Sequence, residues 1–294
     1  MSAHGPIIPI EDANDERLLE YRDLNDAAVS RRMEADGALF VVEGRVAMSQ
    51  LLRSGYSIRS LLVDDHQLTL AASLVEDVQA RGAPVYVAPR SVVARTIGFD
   101  LHRGVVGLAN RPASLEPSLV MDRALGQDPP GLLAVLEDLN DHENIGALFR
   151  NAAAFGVAGM LLSPSCADPL YRRSIRVSVG HVLHVPFARA AAWPETLHDL
   201  RTAGFLVVAL VPHPKSDAVA SSEAISLTQL AGRLARRAQP VAVLLGAEGA
   251  GLSAAAIAAA DLAVTIPMAG GVDSLNVATA AAIAFHRLSE LRTP

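Results

Sequence analysis

The chain has almost no cysteine and almost no lysine. Cys166 is the single thiol among 294 residues, so no intrachain disulfide can form and no cysteine cluster can hold a metal. It reads as a loop residue without chemistry. Lys215 is the single lysine. The other basic side chains are arginine, whose planar fork suits phosphate. Aromatic residues make up 4% of the chain, too few for extensive stacking on nucleic-acid bases. No apolar run approaches the roughly 18 residues of a membrane span, because Gly, Pro or charge interrupts each one. Residues 1–12 lack the basic start and apolar block of a signal peptide, and the chain reads as cytoplasmic. The net charge is −6, so a nucleic acid would have to be held by local basic patches. Of nine histidines, the closest pair, His181 and His184, lacks carboxylate partners at a metal-binding spacing. No metal is expected.

What is present is ample core material, 51% hydrophobic, in a chain long enough for two domains. Residues 1–16 are polar and are expected to be mobile. Short apolar runs at 38–42, 58–63, 84–87 and 104–109 read as strands. Helical spacing appears around Val46, Leu51 and Leu52, over 68–80 and near 91–96. These elements make a compact α/β unit over residues 17–111. Pro112, Pro117, Pro129 and Pro130 interrupt the pattern that follows, so 112–130 reads as a linker. Strand runs then return at 132–136, 159–162, 182–186, 205–211, 241–245 and 263–267, with helical patterns between most of them. Continuous apolar strands alternating with helices imply a parallel sheet covered on both faces. This second domain is expected over 131–294.

Ligands in open α/β sheets sit at the carboxyl ends of strands, which directs attention to three loops. The first runs from Glu137 through Asn144 to Arg150. Asn144 is placed to cap a helix starting at Ile145. Arg150 lies about 140° around that helix from Ile145, away from its apolar face. The second, Gly246-Ala247-Glu248-Gly249-Ala250-Gly251-Leu252-Ser253, is a glycine-rich turn after a buried strand, with Ser253 as a helix cap. It is neither a dinucleotide fingerprint nor a phosphate loop, and Glu248 would repel pyrophosphate. The third runs from Ile266-Pro267-Met268 to Ser274-Leu275-Asn276-Val277. Asp273 or Ser274 opens its helix, and Asn276 sits in the first turn, where a polar amide needs a partner.

In this order, the three segments resemble the motifs of the SpoU (TrmH-like) family of the SPOUT superfamily: Asn144-x-Gly146-x-x-x-Arg150, then Gly246-x-Glu248-x-x-Gly251-Leu252-Ser253, then Ile266-Pro267-Met268 with Ser274-Leu275-Asn276-Val277. The resemblance covers residues 131–290. The segments Phe40-Val41-Val42-Glu43-Gly44 and Gly104-Val105-Val106-Gly107 resemble the family's ribosomal-protein-like RNA-recognition domain. One departure is Ala278, where many relatives carry serine. The resemblance implies an α/β protein whose C-terminal parallel-sheet domain holds a trefoil knot, preceded by a small ribosomal-protein-like α/β domain. It implies a homodimer with each active site near the interface. It also implies methyl transfer from S-adenosylmethionine to a ribose 2′-hydroxyl of structured RNA, ribosomal RNA before transfer RNA.

By the same resemblance, main chain at Leu210, Val211, Leu245, Gly246, Glu248, Gly249, Ile266, Pro267 and Met268, with Leu275, would cradle the cofactor. Asn144, Arg150, Glu248, Ser274 and Asn276 would line the catalytic site. Arg150 is too basic for a general base. Its expected tasks are to position phosphate or ribose and to stabilise the developing alkoxide. Arg172 and Arg176, on one face of a helix over 171–179, and Arg31, Arg32, Arg45 and Arg103 are the arginines expected to meet RNA. Two other readings compete. A nucleotide-dependent α/β enzyme is disfavoured by the missing fingerprint. A non-catalytic knotted RNA-binding dimer is disfavoured by the intact polar set, and a cofactor-binding assay separates it from the enzyme.

Overall fold

A computed structural model describes residues 4–24, 39–101, 104–212, 224–235, 239–269, 272 and 274–292. Two compact units emerge: residues 1–113 with 169–184, and residues 114–168 with 185–294.

The first unit is built on a five-stranded mixed sheet, in the order β1 (Ile7–Pro9), β4 (Val85–Ala88), β3 (Ile58–Asp64), β5 (Val105–Asn110), β2 (Leu39–Glu43). β5 runs antiparallel to both of its neighbours. Helices α1 (Arg45–Arg53), α2 (Ala72–Ala80) and α3 (Arg90–Ile97) accompany it. Residues 4–16 are more ordered than their polarity suggests. Ile7–Pro9 pairs with Val85–Val87, and Ile10, Leu18 and Tyr21 are fully buried. A three-residue edge strand is too short to leave a periodic signal, and burial of Ile10 and Leu18 fixes the segment.

The second unit is a seven-stranded sheet whose recorded pairings are all parallel, in the order β10 (Ile225–Ser226), β12 (Leu262–Thr265), β9 (Leu206–Leu210), β11 (Val241–Gly246), β6 (Leu132–Glu137), β7 (Gly159–Leu162), β8 (Phe187–Arg189). Every residue of β6 is buried, as expected of a strand covered on both faces.

Three local expectations are corrected. The stretch 112–130 is not a featureless linker, because it contains α4 (Pro117–Leu125). Pro117 stands at the helix start, where its missing N–H costs nothing, and Val120, Met121 and Ala124 enter the second unit's core. The run at 182–186 is not a strand. His181–Leu183 forms a 3₁₀ turn and the strand follows at Phe187–Arg189, since the chain passes from the first unit to the second between residues 184 and 185. Finally, α6 is shorter than 171–179 and spans Arg172–Val177. It belongs to the first unit, although its sequence lies between two strands of the second.

Candidate functional site

Parallel strands bring their carboxyl ends to one edge. Past the ends of β9, β11 and β12 lies a cavity of about 720 Å³. Its walls include Leu210, Val211, Leu245, Gly246, Glu248, Gly249, Ile266, Met268 and Leu275, nine of the ten residues expected to hold the cofactor. Pro267, the tenth, is exposed and does not line it.

The glycine-rich turn forms the floor. A Cβ on Gly246 would come within 2.4 Å of the Gly251 carbonyl carbon, so only glycine lets the two ends of the turn close. Gly249 and Gly251 have φ of +87° and +70°, a region side chains disfavour. An added Cβ at either would meet no protein atom within 4 Å. The main chain therefore stays bare toward the cavity.

One buried carboxylate secures this turn. Glu137, the last residue of β6, pairs in register with Gly246 and is 2% exposed. Its Oε1 accepts from Trp193 Nε1 and from Ser253 Oγ, both at 2.7 Å, and its Oε2 accepts from Ser253 N at 2.8 Å. Ser253 Oγ also accepts from Ala256 N, capping α9 (Ala254–Ala259), as its position in the sequence anticipates.

At the cavity mouth three polar side chains meet. Asn276 caps α10 (Val277–Ser289), where the sequence suggested Asp273 or Ser274. Its Oδ1 accepts from Ala278 N and Thr279 N at 2.9 and 3.2 Å. The amide is thereby oriented, and its Nδ2 must face the other way. That nitrogen donates to Asn144 Oδ1 at 2.9 Å and to Glu248 Oε1 at 2.5 Å. Asn144 is not a cap. Asp141 caps α5 (His142–Ala154) by accepting from Glu143 N, which frees the buried Asn144 amide for Asn276. Asn151, two turns further along the same face of α5, donates to the Ala278 carbonyl at 2.8 Å, so the small residue at 278 serves close helix packing. Ser274 lines the cavity, and Asp273 lies outside the described residues. Arg150 does not join this group. It is exposed, does not line the cavity, and forms no hydrogen bond or ion pair among the described residues.

The arginines expected to meet RNA differ in their surroundings. Arg45 is exposed, with one bond to the Leu70 carbonyl. Arg172 is half-buried, with its guanidinium 4.2 Å above the Phe99 ring. Burial pushes its pKa down, and nearby Glu43 opposes that effect. Arg176 is exposed and lies 3.6 Å from Glu43. Arg31, Arg32 and Arg103 lie outside the described residues. Cys166 is buried, its Sγ directed at the Leu136 carbonyl.

Two partners escaped sequence reasoning, Glu137 and Trp193. Glu137 ends an apolar strand and reads locally as the first residue of a loop. Only its register beside Gly246 reveals its role.

The comparisons agree with this geometry. Residues 131–286 match the model of the SpoU rRNA Methylase family. An uncharacterized tRNA/rRNA methyltransferase of Mycobacterium tuberculosis is 44% identical over 275 residues, 94% of this chain and 89% of that protein. The SpoU methyltransferase AviRb of Streptomyces viridochromogenes, in complex with AdoMet, superposes with a TM-score of 0.74 at 25% identity, over 95% of this chain and 99% of that one. An RNA 2′-O ribose methyltransferase superposes with a TM-score of 0.72 at 25% identity, over 97% and 99%. With its ordered motifs gathered on one parallel-sheet edge and more than half its length matching the family model, this chain belongs to the SpoU rRNA methylase family.

Proposed function

We propose that the chain transfers a methyl group from S-adenosylmethionine to a ribose 2′-hydroxyl of RNA, with ribosomal RNA as the substrate ahead of transfer RNA. The observation that carries this reading is the Asn144–Asn276–Glu248 cluster at the mouth of a cavity floored by bare main chain. The cavity fits the cofactor. Its volume of about 720 Å³ is ordinary for a small-molecule pocket. Leu210, Leu245, Ile266 and Leu275 offer apolar walls to a purine, and Glu248 offers a carboxylate to a cation.

When bound, the cofactor supplies a methyl group on a sulfonium that needs no further activation. The protein's tasks are alignment and help with proton loss. The helix cap locks Asn276, and Asn276 holds the Glu248 carboxylate through Oε1. Oε2 of Glu248 has no hydrogen bond among the described residues and can accept one from the substrate hydroxyl. Arg150, exposed and without a hydrogen bond or ion pair among the described residues, supplies positive charge for a phosphate or a developing alkoxide. It stands outside the cavity of its own chain. A homodimer with each active site near the interface, as the resemblance implies, would bring an arginine to that mouth. The trefoil knot, the RNA-recognition role of the first unit and a cytoplasmic location belong to the same reading. No helix among the described residues is long and apolar enough to cross a membrane.

The test is transfer of labelled methyl from S-adenosylmethionine to total RNA from a strain lacking the protein, followed by nucleoside analysis. A 2′-O-methylated nucleoside is expected. A base-methylated product would refute the ribose assignment, and absence of cofactor binding would refute the methyltransferase reading.

A further inference from the structure

Glu137 is a carboxylate buried to 2% exposure with no cation among its bonded partners. Three donors satisfy it: the Trp193 indole and both the amide and hydroxyl of Ser253. An ionised group in such a place is costly unless fully hydrogen-bonded, so the arrangement has a structural consequence. The Glu137 main chain stands in register beside Gly246, where the turn begins, and its carboxylate grips Ser253, where the turn ends. Between them, among the described residues, the turn is held at Glu248 by Asn276 and by one main-chain bond of its own. Gly251 N donates to the Ala247 carbonyl, and Gly249 and Gly251 add backbone freedom. Residues 246–252 all line the cavity.

We infer that Glu137 is a positioning residue for methyl transfer: its main chain pairs in register with Gly246 at one end of the glycine-rich turn, its carboxylate holds Ser253 at the other, and together they keep the cofactor cradle in its receptive shape. Trp193 orients the clamp by donating to Oε1, the same oxygen that accepts from the Ser253 hydroxyl. This inference rests on the cofactor reading above for its effect on catalysis, but not for its effect on the turn.

Glu137→Gln keeps size and shape yet cannot reproduce the bonding. Its two amide atoms must meet donors on both sides, so its NH₂ faces either the Ser253 amide or donors at the Oε1 position. Hydrogen exchange of the cofactor-free protein is the first readout. Amides of 247–253 should exchange at least about tenfold faster in the variant, with the rest of the second unit's sheet unchanged. Steady-state kinetics is the second. The KM for S-adenosylmethionine should rise about tenfold while the KM for RNA stays within about twofold. Unchanged exchange in the turn would overturn the clamp. Faster exchange with an unchanged cofactor KM would overturn its catalytic role. Faster exchange in a protein whose wild type binds no S-adenosylmethionine would uphold the clamp and sink the cofactor reading instead. Should Glu137→Gln fail to fold, Trp193→Phe removes one donor and leaves an apolar ring. It should speed exchange in 247–253 by about threefold and raise the cofactor KM by a similar factor, and no change in either would overturn the proposal.

Discussion

The two units of this chain use sheets in different ways. In the second, parallel pairing throughout sends the loops after β9, β11 and β12 to a single edge, and there a cavity, a bare turn and a polar cluster coincide. In the first, β5 runs against both neighbours, so its carboxyl end lies at the edge opposite those of the other four strands. Of this unit's expected RNA contacts, Arg172 and Arg176 sit on a short helix, and Arg45 opens the helix that follows β2. Under the proposed function the difference is a division of labour. A parallel sheet gathers the loops after its strands at one edge and suits small-molecule chemistry, and exposed arginines such as Arg45 and Arg176 suit recognition of RNA shape and backbone.

Substitutions can break or sharpen this contrast. The largest effect is expected for Arg150→Ala, which should leave the Kd for S-adenosylmethionine within about twofold and lower methyl transfer by roughly 10²–10³, the scale of one lost oriented charge or donor. Unchanged turnover in single-turnover assays would remove Arg150 from the site. Asn276→Ala deletes the cap of α10 and the bond to Glu248. It should cost about 1 kcal/mol of stability in denaturant titration and reduce turnover by roughly 10–100-fold.

Gly246→Ala sharpens the contrast from the cofactor side. The added methyl would stand 2.4 Å from the Gly251 carbonyl carbon, so the turn must open. The expected cost is about 1–3 kcal/mol, with a raised KM for S-adenosylmethionine and no change in the KM for RNA. In the first unit the pattern should reverse. Arg45→Ala should raise the KM for RNA by about fivefold, the scale of one exposed ionic contact, without touching cofactor affinity. A cofactor effect from Arg45→Ala would erase the proposed division.

The smallest expected effect is on pH dependence. His184 is exposed, and partial desolvation, with His181 and Arg53 nearby, holds it below its ordinary pKa while the ring bonds to Gln50 at 2.9 Å. A depressed histidine pKa means that the unfolded chain binds the proton more readily. Stability from this group is therefore present above about pH 6.5, the unfolded value, and declines as pH falls through it. Thermal melts of wild type and His184→Gln at pH 7.5 and 5.5 should show a smaller acid-induced drop in the variant. Equal drops would assign the pH dependence to other groups.

Much of the site was legible because its residues announce themselves locally. A buried strand followed by glycines, an acid and a serine marks a turn and cap wherever it occurs, and the order of three such loops pointed to the family. Helix caps were less legible. Asp141, Asn144, Asp273, Ser274 and Asn276 are all competent cap residues, and a cap is selected by which side chain the fold leaves without a better partner. Asn144 lost that place to Asp141, and Asn276 gained one, through the bond between them. The helix at Pro117–Leu125 was hidden because a proline that opens a helix looks, in sequence, like one that breaks it.

By itself, then, the sequence determined the alternation of apolar strands and helices, the residue types at three strand ends and the absence of cysteine and histidine clusters of metal-binding spacing. These depend on neighbours a few positions apart. Tertiary structure alone decided that Asn144 meets Asn276 across 132 positions and that Glu137 meets Ser253 across 116. It also decided that residues 169–184 join the first unit. The reason is physical. Strand order and register place these groups side by side, and strand order arises from the packing of whole layers, which no local periodicity encodes.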